Sequence, residues 1–538
     1  MTRTAWYSPG RLRTRIAAAS GWRLALILLT GGALSALAMA PVFAWPILIP
    51  TLAVLLWTVD GARRRPKPLR AAFVRGFLFG FGYFLAGMFW LAYAFINRGP
   101  EYIPLIPIAV PALAALLAAF WGGAMAAYAL LAQRSEWRVL VFAVCIAVFE
   151  WLRGHMFGGL PWNLPAYAWP AGGAISQTAS WFGVYGLTLL TILTLVSPAV
   201  AVGPVFNLKR TMPAMGGIAI LLIMFTFGAL RLQQPDPGLE PGVRFRIVQS
   251  ALTQREKWSE DGALLARDRY LALTASPGLE EVTHVLWPEG ALPIYMLEDG
   301  ATLSLIGEIF ADDQVLMAGI SRRVVGQEDE TYFNSLAVLR YHSGTPRIVG
   351  LYDKVLLAPF GESIPFSGLL SAIGFADFAR LQYTPGAGPF VMDLPGAPPV
   401  MPLICYEGIF PGFVRAGAPR PAWLFNLSND AWFGETSGPR QHVNQARYRS
   451  IETGLPMIRS ASRGVSGVID AFGRMPVAIP PGSDGVQDVD LPRPVAAPLY
   501  AFWGDWPFWI ISGFVIAGII LQRRKVVGRY LKIPALNR

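Results

Sequence analysis

Long apolar runs separated by short polar segments fill the first 239 residues and recur after residue 500. A helix that crosses a membrane needs roughly 20 mostly apolar residues. By that measure the pattern predicts eight spanning helices, at residues 24–41, 43–59, 71–96, 104–132, 139–152, 180–203, 214–230 and 507–521. We therefore expect a multi-span α-helical membrane domain, with seven helices in residues 1–239. The eighth helix and a basic cytoplasmic tail are expected in residues 501–538.

Residues 240–500 follow a different pattern, in which short apolar strands alternate with helical segments. Such alternation is typical of a single α/β domain. The predicted strands are residues 245–249, 284–287, 315–321, 334–339, 348–352, 400–405, 423–427, 457–461 and 467–470, and the predicted helices are about 258–275, 298–311 and 439–453. Proline-rich linkers are expected on either side, at Pro235, Pro237 and Pro241 and at Pro492, Pro494 and Pro498.

The composition agrees with a membrane protein. Of the 538 residues, 54% are hydrophobic and 15% are charged, and the mean hydropathy is +0.44. These values exclude an ordinary soluble enzyme of this length. Membrane proteins carry a net charge such as +11 in their cytoplasmic loops, so nucleic acid is not the first inference. Two cysteines cannot build a disulfide framework, and with four histidines they show no metal-ligand spacing, so we expect no metal and no cofactor.

The basic residues are distributed unevenly between the loops. With the amino terminus inside, the cytoplasmic segments carry most of the loop Lys and Arg; they are 1–23, 60–70, 133–138, 204–213 and 522–538. The opposite short loops hold little beyond Arg98, Arg153 and Arg231. The positive-inside rule then puts residues 240–500 outside, in the periplasm of a Gram-negative bacterium. Residues 38–40 are similar to a signal-peptidase site, but the apolar run that follows favours an uncleaved span.

Three reactive side chains stand at the ends of predicted strands. Glu289 follows the strand at 284–287, Lys354 follows the strand at 348–352, and Cys405 ends the strand at 400–405. An acid, a lysine and a thiol in such positions form a coherent set for acyl transfer. Cys405 taken alone is equally well interpreted as a buried structural cysteine, which is how we interpret Cys145 in its apolar run.

A cysteine–histidine dyad is a less economical alternative for the same chemistry. His284 begins a predicted strand, His342 lies near a turn, and His442 lies on a predicted helix. None of them stands at a strand end beside the thiol, so Glu289 is the preferred base.

The motifs around these residues resemble a known superfamily. Trp287-Pro288-Glu289, the run Tyr352-Asp353-Lys354-Val355 and the run Ile404-Cys405-Tyr406-Glu407 are similar to the three signatures of the nitrilase superfamily, whose triad is Glu-Lys-Cys. Eight spans, with such a domain before the last one, resemble the apolipoprotein N-acyltransferase family. Further matches lie at residues 150–154, 161–162, 254–258, 359–362 and 428–434, whereas the loop around His155 departs from the family pattern.

This resemblance implies a nitrilase-like αββα sandwich on an eight-helix membrane base. It implies transfer of a fatty acyl chain from a phospholipid to the α-amino group of the S-diacylglyceryl-cysteine that begins an apolipoprotein. This reaction is the last step of bacterial lipoprotein maturation and takes place at the inner membrane. Cys405 would form a thioester in a ping-pong reaction, Glu289 would act as general base and acid, and Lys354 with the backbone N–H of Tyr406 would stabilise the oxyanion.

The resemblance also suggests supporting residues. Glu362 and Glu407 are expected to orient Lys354 or the substrate, and Gly361 and Ser363 around Glu362 suggest a loop that moves as a lid. Candidate substrate-binding residues are Trp258, Tyr406, Trp432, Phe433 and Asn334, although the aromatic side chains are equally suited to a core.

Two other functions compete with this interpretation. A membrane-tethered amide or nitrile hydrolase would use the same triad, but one anchor helix would be enough for it. A transporter usually needs ionisable groups within its spans. The predicted spans hold few such groups, chiefly Arg75, Glu150 and Arg153. The lipid substrate therefore accounts best for the number of spans.

Overall fold

The computed structural model describes residues 9–133, 135–203, 207–326, 330–363, 382–415 and 419–531, with side chains as far as residue 522. The described residues up to 232 form ten α-helices. They are α1 (Pro9–Ala18), α2 (Gly21–Ser35), α3 (Leu48–Ala62), α4 (Pro68–Gly87), α5 (Leu91–Arg98), α6 (Ile106–Leu131), α7 (Arg138–His155), α8 (Ala179–Val196), α9 (Pro198–Ala201) and α10 (Leu208–Leu232).

Seven helical segments are long and apolar enough to cross a membrane. With the short 3₁₀ turns or short helices that extend five of them, they are Gly21–Ala38, Trp45–Ala62, Pro68–Gly87, Pro100–Leu131, Arg138–Gly158, Ile175–Ala201 and Leu208–Leu232. The helices pack through small residues, as membrane helices commonly do. At Gly76 of α4, for example, a Cβ atom would lie 2.2 Å from the backbone oxygen of Trp121 on α6. The predicted multi-span domain is confirmed.

The predicted span at 71–96 is divided. α4 ends at Gly87 and the separate helix α5 begins at Leu91. Gly87 ends α4 against the Asn163 side chain, whose amide donates to the Gly87 carbonyl at 3.0 Å. The predicted run at 139–152 is longer in the structure, because α7 continues to His155.

The domain after α10 contains twelve strands in the described residues. They are β1 (Leu239–Gln249), β2 (His284–Trp287), β3 (Val315–Val325), β4 (Glu330–His342), β5 (Thr345–Asp353), β6 (Met392–Leu394), β7 (Ala397–Ile404), β8 (Trp423–Asn429), β9 (Met457–Ser462), β10 (Ser466–Ile469), β11 (Ala478–Ile479) and β12 (Gly485–Pro492). Its helices are α11 (Gln254–Lys257), α12 (Gly262–Thr274), α13 (Gly300–Ile309) and α14 (Gly438–Thr453).

The strands form two six-stranded sheets, in the orders β12-β1-β2-β3-β4-β5 and β11-β10-β9-β8-β7-β6. One apolar core joins them: Phe245 and Leu286 of the first sheet cluster with Phe425 and Ile458 of the second. Two further apolar clusters include residues of α12, α13 and α14 on the outer faces. This layering is the expected αββα sandwich, and the predicted fold class is confirmed.

Several predicted boundaries were wrong. β6, β11 and β12 had no predicted counterpart, because they are short or, for β12, half-exposed and polar. Pro241 lies within β1, at its irregular start, and Pro492 ends β12. The helix predicted at 258–275 begins only at Gly262, because α11 is a separate turn that begins with a capping box between Thr253 and Glu256.

After β12 the chain continues through α15 (Leu499–Trp503) to α16 (Trp506–Leu531). The described apolar part of α16, Trp506–Gln522, is shorter than the seven spans before the domain. It packs on α7 through the rings of Trp509 and Trp151, whose centres are 4.9 Å apart. Residues 532–538 of the predicted basic tail, and the side chains of 523–531, lie outside the described residues.

Candidate active site

The predicted reactive residues lie close together, just after the ends of three strands. Glu289 lies two residues after β2, and Lys354 and Cys405 follow β5 and β7 directly. Because the two sheets pack face to face, the ends of these strands meet between them. The expected association of Glu289, Lys354 and Cys405 is therefore present in the geometry.

Lys354 lies between two carboxylates. Its buried ammonium donates to Glu289 Oε1 at 3.1 Å and to Glu362 Oε1 at 2.8 Å. The amide of Asn334 donates to the same two oxygens, at 2.7 and 2.6 Å. Glu289 Oε2 accepts from the backbone N–H of Asn429 at 2.8 Å. Asn334, expected as a substrate-binding residue, thus holds the two carboxylates together.

These contacts fix the charges of the site. Burial alone would raise the pKa of Glu289, but the neighbouring Lys354 ammonium and the hydrogen bond from Asn334 keep that pKa below its ordinary value. Burial would lower the pKa of Lys354, but Glu289 and Glu362 hold it well above the ordinary value. Burial and the Glu289 charge raise the pKa of the Cys405 thiol. The thiol is therefore protonated beside an ionised Glu289.

The backbone turns sharply at the cysteine. Cys405 has φ of +48° and begins a 3₁₀ turn, Cys405–Ile409, instead of ending the strand as predicted. A positive φ in a residue other than glycine is unusual and often marks a functional site. The Cys405 side chain is partly exposed, so it is not enclosed in the core.

Glu407 holds this turn against the segment after Lys354. Its buried carboxylate accepts from the backbone N–H groups of Ile404 at 2.7 Å and of Val355 at 2.6 Å. Burial raises the pKa of Glu407 to about 7, although these hydrogen bonds oppose the shift. Glu407 thus orients the backbone on both sides of the site, whereas Glu362 contacts Lys354 itself.

A buried cluster behind the cysteine was not predicted. His442 Nδ1 lies 2.8 Å from Asp430 Oδ1, and its Nε2 lies 3.2 Å from the Cys405 carbonyl oxygen. Arg459 donates to Asp430 Oδ2 at 2.8 Å. We name His442, Asp430 and Arg459 the imidazole cluster. The sequence signal for this cluster is the unusual polarity of α14, where His442 is otherwise expected only as a less economical base for the thiol.

Lys257 is a second residue that sequence reasoning missed. Its ammonium donates to the carbonyl of Gly290, the residue after Glu289, at 3.0 Å and to Ser462 Oγ at 3.1 Å. Burial lowers its pKa to about 8, against the opposing effect of Glu289. It therefore fixes the turn in which Glu289 lies.

Loops of the membrane domain and its short helix α5 contact the site directly. The hydroxyl of Tyr406 donates to the Gly159 carbonyl, in the loop after α7, at 2.5 Å. Asn97 of α5 donates to the carbonyls of Ala431 and Trp432. Gln441 of α14 accepts from the indole nitrogens of both Trp90 and Trp162, at 3.1 and 2.8 Å.

The remaining predicted substrate-binding residues differ in their surroundings. Phe433 packs against the rings of Trp90 and Trp162, so it is part of the contact with the membrane domain. Trp432 is half-buried beside it. Trp258 is 69% exposed, and Phe360, beside the Glu362 loop, is 63% exposed. These two exposed rings are free to meet an apolar ligand. Among the described residues, no group of three His, Cys, Asp or Glu side chains has a geometry that suits a metal ion.

Comparison with known proteins agrees with this geometry. The family model for the apolipoprotein N-acyltransferase N-terminal domain matches residues 31–196, and the model for carbon-nitrogen hydrolase matches residues 248–500. The chain is 38% identical over 530 residues to the apolipoprotein N-acyltransferase of Rhodopseudomonas palustris, covering 96% of this chain and 98% of that protein. It is 37% identical over 524 residues to the protein of the same name from Bradyrhizobium diazoefficiens (95% and 96% covered), and 38% identical over 518 residues to that from Caulobacter vibrioides (94% and 95% covered).

Proposed function

The chain belongs to the apolipoprotein N-acyltransferase family, and we propose that it moves a fatty acyl chain from a phospholipid to the N-terminal amine of a diacylglyceryl-cysteine through a thioester on Cys405. Membership makes it an acyltransferase of lipoprotein maturation, in the nitrilase superfamily and in the inner membrane. The donor, the thioester, the ping-pong order and the residue roles are our proposals.

The observation that carries the proposal is the position of Lys354 between Glu289 and Glu362, at the strand end where Cys405 also lies. A carboxylate kept ionised beside a protonated thiol is a general base in the required state. Glu289 would take the thiol proton as the sulfur attacks the ester carbonyl, which forms the C–S bond. When the tetrahedral intermediate collapses, the same proton passes to the departing lysophospholipid oxygen.

The oxyanion of that intermediate needs donors. Lys354 and the backbone N–H of Tyr406 are our candidates, because the ammonium is fixed and the N–H begins a helical turn without an acceptor inside it. In the second half-reaction Glu289 would accept a proton from the incoming amine, which attacks the thioester. The free thiol of Cys405 is then restored and the amide is formed.

Direct contact between the site and the membrane domain favours a lipid donor over a small soluble amide. Tyr406 bonds to Gly159 and Asn97 bonds to the Trp432 segment, so the site lies against the membrane domain. A tethered amide hydrolase with the same triad has no need of these contacts. We propose that residues 1–239, 240–500 and 501–538 act as membrane domain, periplasmic catalytic domain and final span.

The mass of the purified protein tests the proposal. Wild type mixed with phospholipid in detergent micelles should gain one fatty acyl mass on Cys405, which hydroxylamine releases at neutral pH. An apolipoprotein should then discharge it onto its N-terminal amine, with parallel double-reciprocal plots. Cys405→Ala should show no adduct, whereas the matched variant Cys145→Ala should keep it. Intersecting plots together with no adduct would exclude the thioester.

A further inference from the structure

The imidazole cluster contacts the backbone carbonyl of Cys405, the proposed nucleophile. His442 lies on α14 and is buried, and its two ring nitrogens face two different groups. Nδ1 faces the Asp430 carboxylate at 2.8 Å, and Nε2 faces the Cys405 carbonyl oxygen at 3.2 Å. Every other partner of the ring is either aromatic, as Trp162 and Phe433 are, or already a donor, as Arg459 is.

Both facing groups can only accept a hydrogen bond. Burial would raise the pKa of Asp430, but the charge of Arg459 lowers it, so the carboxylate is ionised. A carbonyl oxygen has no proton to give. A neutral imidazole has one N–H and one bare nitrogen, so one of these two contacts would set a lone pair against a lone pair. Two acceptors at hydrogen-bond distance therefore require a proton on each ring nitrogen.

The Arg459 contact does not alter this conclusion. Arg459 Nη2 lies 3.3 Å from His442 Nδ1, but it already donates to Asp430 Oδ2 at the shorter distance of 2.8 Å. Its other terminal nitrogen, Nη1, donates to Asn426 Oδ1. Nδ1 lies nearer to Asp430 Oδ1, at 2.8 Å, than to Arg459 Nη2, and a bare Nδ1 at that distance would face the lone pairs of the carboxylate, so Nδ1 of His442 donates to the carboxylate.

The Cys405 carbonyl and the Tyr406 N–H belong to one peptide unit. In a trans peptide these two groups point in opposite directions. A donor fixed on the carbonyl therefore fixes the N–H towards the opposite side, which is the start of the 3₁₀ turn Cys405–Ile409. A charged donor on the carbonyl also polarises the unit and makes the N–H a stronger donor.

We propose that His442 is a doubly protonated positioning residue, which locks and polarises the Cys405–Tyr406 peptide so that its N–H forms the oxyanion hole. This inference rests on the proposed function, because it assigns the donor that the thioester-forming step needs. His442 does not touch the thiol or the substrate. It is therefore not the base of a cysteine–histidine dyad, and it acts on the reaction through the backbone.

The protonation of the ring is tested on the wild-type protein. Full-length protein labelled with ¹⁵N-histidine in detergent micelles at pH 7 should show His442 with a proton on both nitrogens; the His442→Gln variant identifies its signals. His284 is the internal reference. It is also buried, with Nε2 3.0 Å from the Pro395 carbonyl, but its Nδ1 faces the Thr283 hydroxyl, whose single proton can rotate from the Arg244 carbonyl to a bare nitrogen. Burial lowers the pKa of His284 to about 4, so its ring is neutral. A bare nitrogen on His442 overturns the proposal.

The role in the reaction is tested by comparing two reactions of Cys405 in the Cys145→Ala background. Acylation by phosphatidylethanolamine passes through an oxyanion, whereas alkylation by iodoacetamide does not. Loss of one oxyanion donor costs roughly 10²–10³ in rate. His442→Gln should lower acylation to that extent while alkylation falls far less, and the matched variant His284→Gln should leave both rates unchanged.

Equal loss of both rates in His442→Gln would reduce the residue to a structural role and overturn the proposal. Normal acylation in His442→Gln would overturn it too, while the thioester itself would stand. Absence of an adduct in the wild type would overturn the proposed function and this inference together.

Discussion

The hydroxyl of Tyr406 donates a hydrogen bond to the carbonyl of Gly159, 2.5 Å away. Tyr406 follows the candidate nucleophile, and Gly159 lies in the loop after α7. A Cβ atom on Gly159 would lie 2.1 Å from the Gly154 carbonyl oxygen and 3.1 Å from the Phe410 ring, so the loop is packed closely between the membrane helix and the catalytic turn. The position of the reactive turn is therefore set partly from the membrane side.

Tyr406→Phe tests this connection. Removing the hydroxyl loses a hydrogen bond worth about 1 kcal/mol, and we expect kcat for acyl transfer to fall about fivefold because the reactive turn relies on it. Tyr448→Phe is the matched control, because the Tyr448 hydroxyl also bonds across the two domains, to the Trp169 carbonyl at 2.7 Å, away from the cysteine. A similar loss of kcat in both variants would show that Tyr406 acts only on stability.

Glu289→Gln should abolish acyl transfer while the protein stays folded. The amide keeps the size of the side chain but cannot take the thiol proton, and loss of a general base costs roughly 10²–10⁴ in rate. The amount of thioester formed in a single turnover measures the effect. Near-normal kcat would remove Glu289 from the mechanism.

The effect of Lys354→Met on activity can be separated from its effect on stability only with a second substitution. It leaves Glu289 and Glu362 as two buried carboxylates without their cation, so we expect a lower Tm as well as lost activity. Lys354→Met with Glu362→Gln removes one of those charges and should recover most of the Tm. Activity should stay absent in the double variant. Recovered activity would show that Lys354 serves folding alone.

The Glu362 segment should become more ordered in the acyl-enzyme. Glu362 bonds to Lys354 and to the Ala358 N–H, while Phe360 beside it is largely exposed. An acyl chain on Cys405 offers an apolar surface that Phe360 can cover. Amide hydrogen exchange in residues 355–363 should slow on acylation, with exchange in α12 as the unchanged reference. Unchanged exchange in 355–363 would make Glu362 a fixed support.

Glu452 provides a test of pH dependence. It lies on α14, its carboxylate accepts from the Val184 N–H of α8 at 3.1 Å, and burial raises its pKa from 4.5 to about 7. Between these values the folded protein binds more protons than the unfolded chain, so this group lowers stability as pH rises from about 4.5 to 7. Above pH 7 its contribution stays constant.

Glu452→Gln removes that titration but keeps an oxygen for Val184. The variant and the wild type should have similar Tm at pH 5, and the variant should be higher by several degrees at pH 8, as thermal unfolding in detergent would measure. The raised pKa of Glu407 is common to both proteins and cancels in the difference. A difference in Tm that does not change with pH would contradict the assignment.

The orientation of the catalytic domain is a further prediction. Reporter fusions after Arg65 and after Arg524 should indicate the cytoplasm, and a fusion within residues 240–500 should indicate the periplasm, because basic loops stay inside. A cytoplasmic catalytic domain would contradict the proposed function, since the acceptor is exposed on the outer leaflet.

The reactive residues at the strand ends could be predicted from the sequence because each follows a short apolar run. Glu289 stands out as a charge two residues after the buried strand β2, and Lys354 as a charge directly after β5, which has an apolar sequence although only Tyr352 in it is buried. His442 could not be found in this way. α14 carries Arg440, Gln441, His442 and Asn444 in a row of polar positions that is typical of a solvated face, yet most of the helix is buried between a sheet and the membrane helices. Local polarity indicates an exposed helix, but tertiary contacts, chiefly those of Gln441 with Trp90 and Trp162, bury it.

The break of the predicted span at 71–96 has a similar cause. Hydropathy favours one long helix, but Gly87 ends it against Asn163, and Asn97 of α5 bonds to the loop that follows β8. Only the partner residues, more than 70 positions away, make the division necessary. Strand β12 was not predicted because its residues are half-exposed along nearly its whole length and form no apolar face.

The pairing of β1 with β12 has a consequence for synthesis. Leu239 lies opposite Pro492, so the first strand of the catalytic domain completes its hydrogen bonds only with the last one. A ribosome must therefore add about 250 residues before β1 loses its open edge, and an open edge eleven residues long invites aggregation. A chain terminated between β11 and β12 would keep that edge unprotected, which makes it a ready target for proteases.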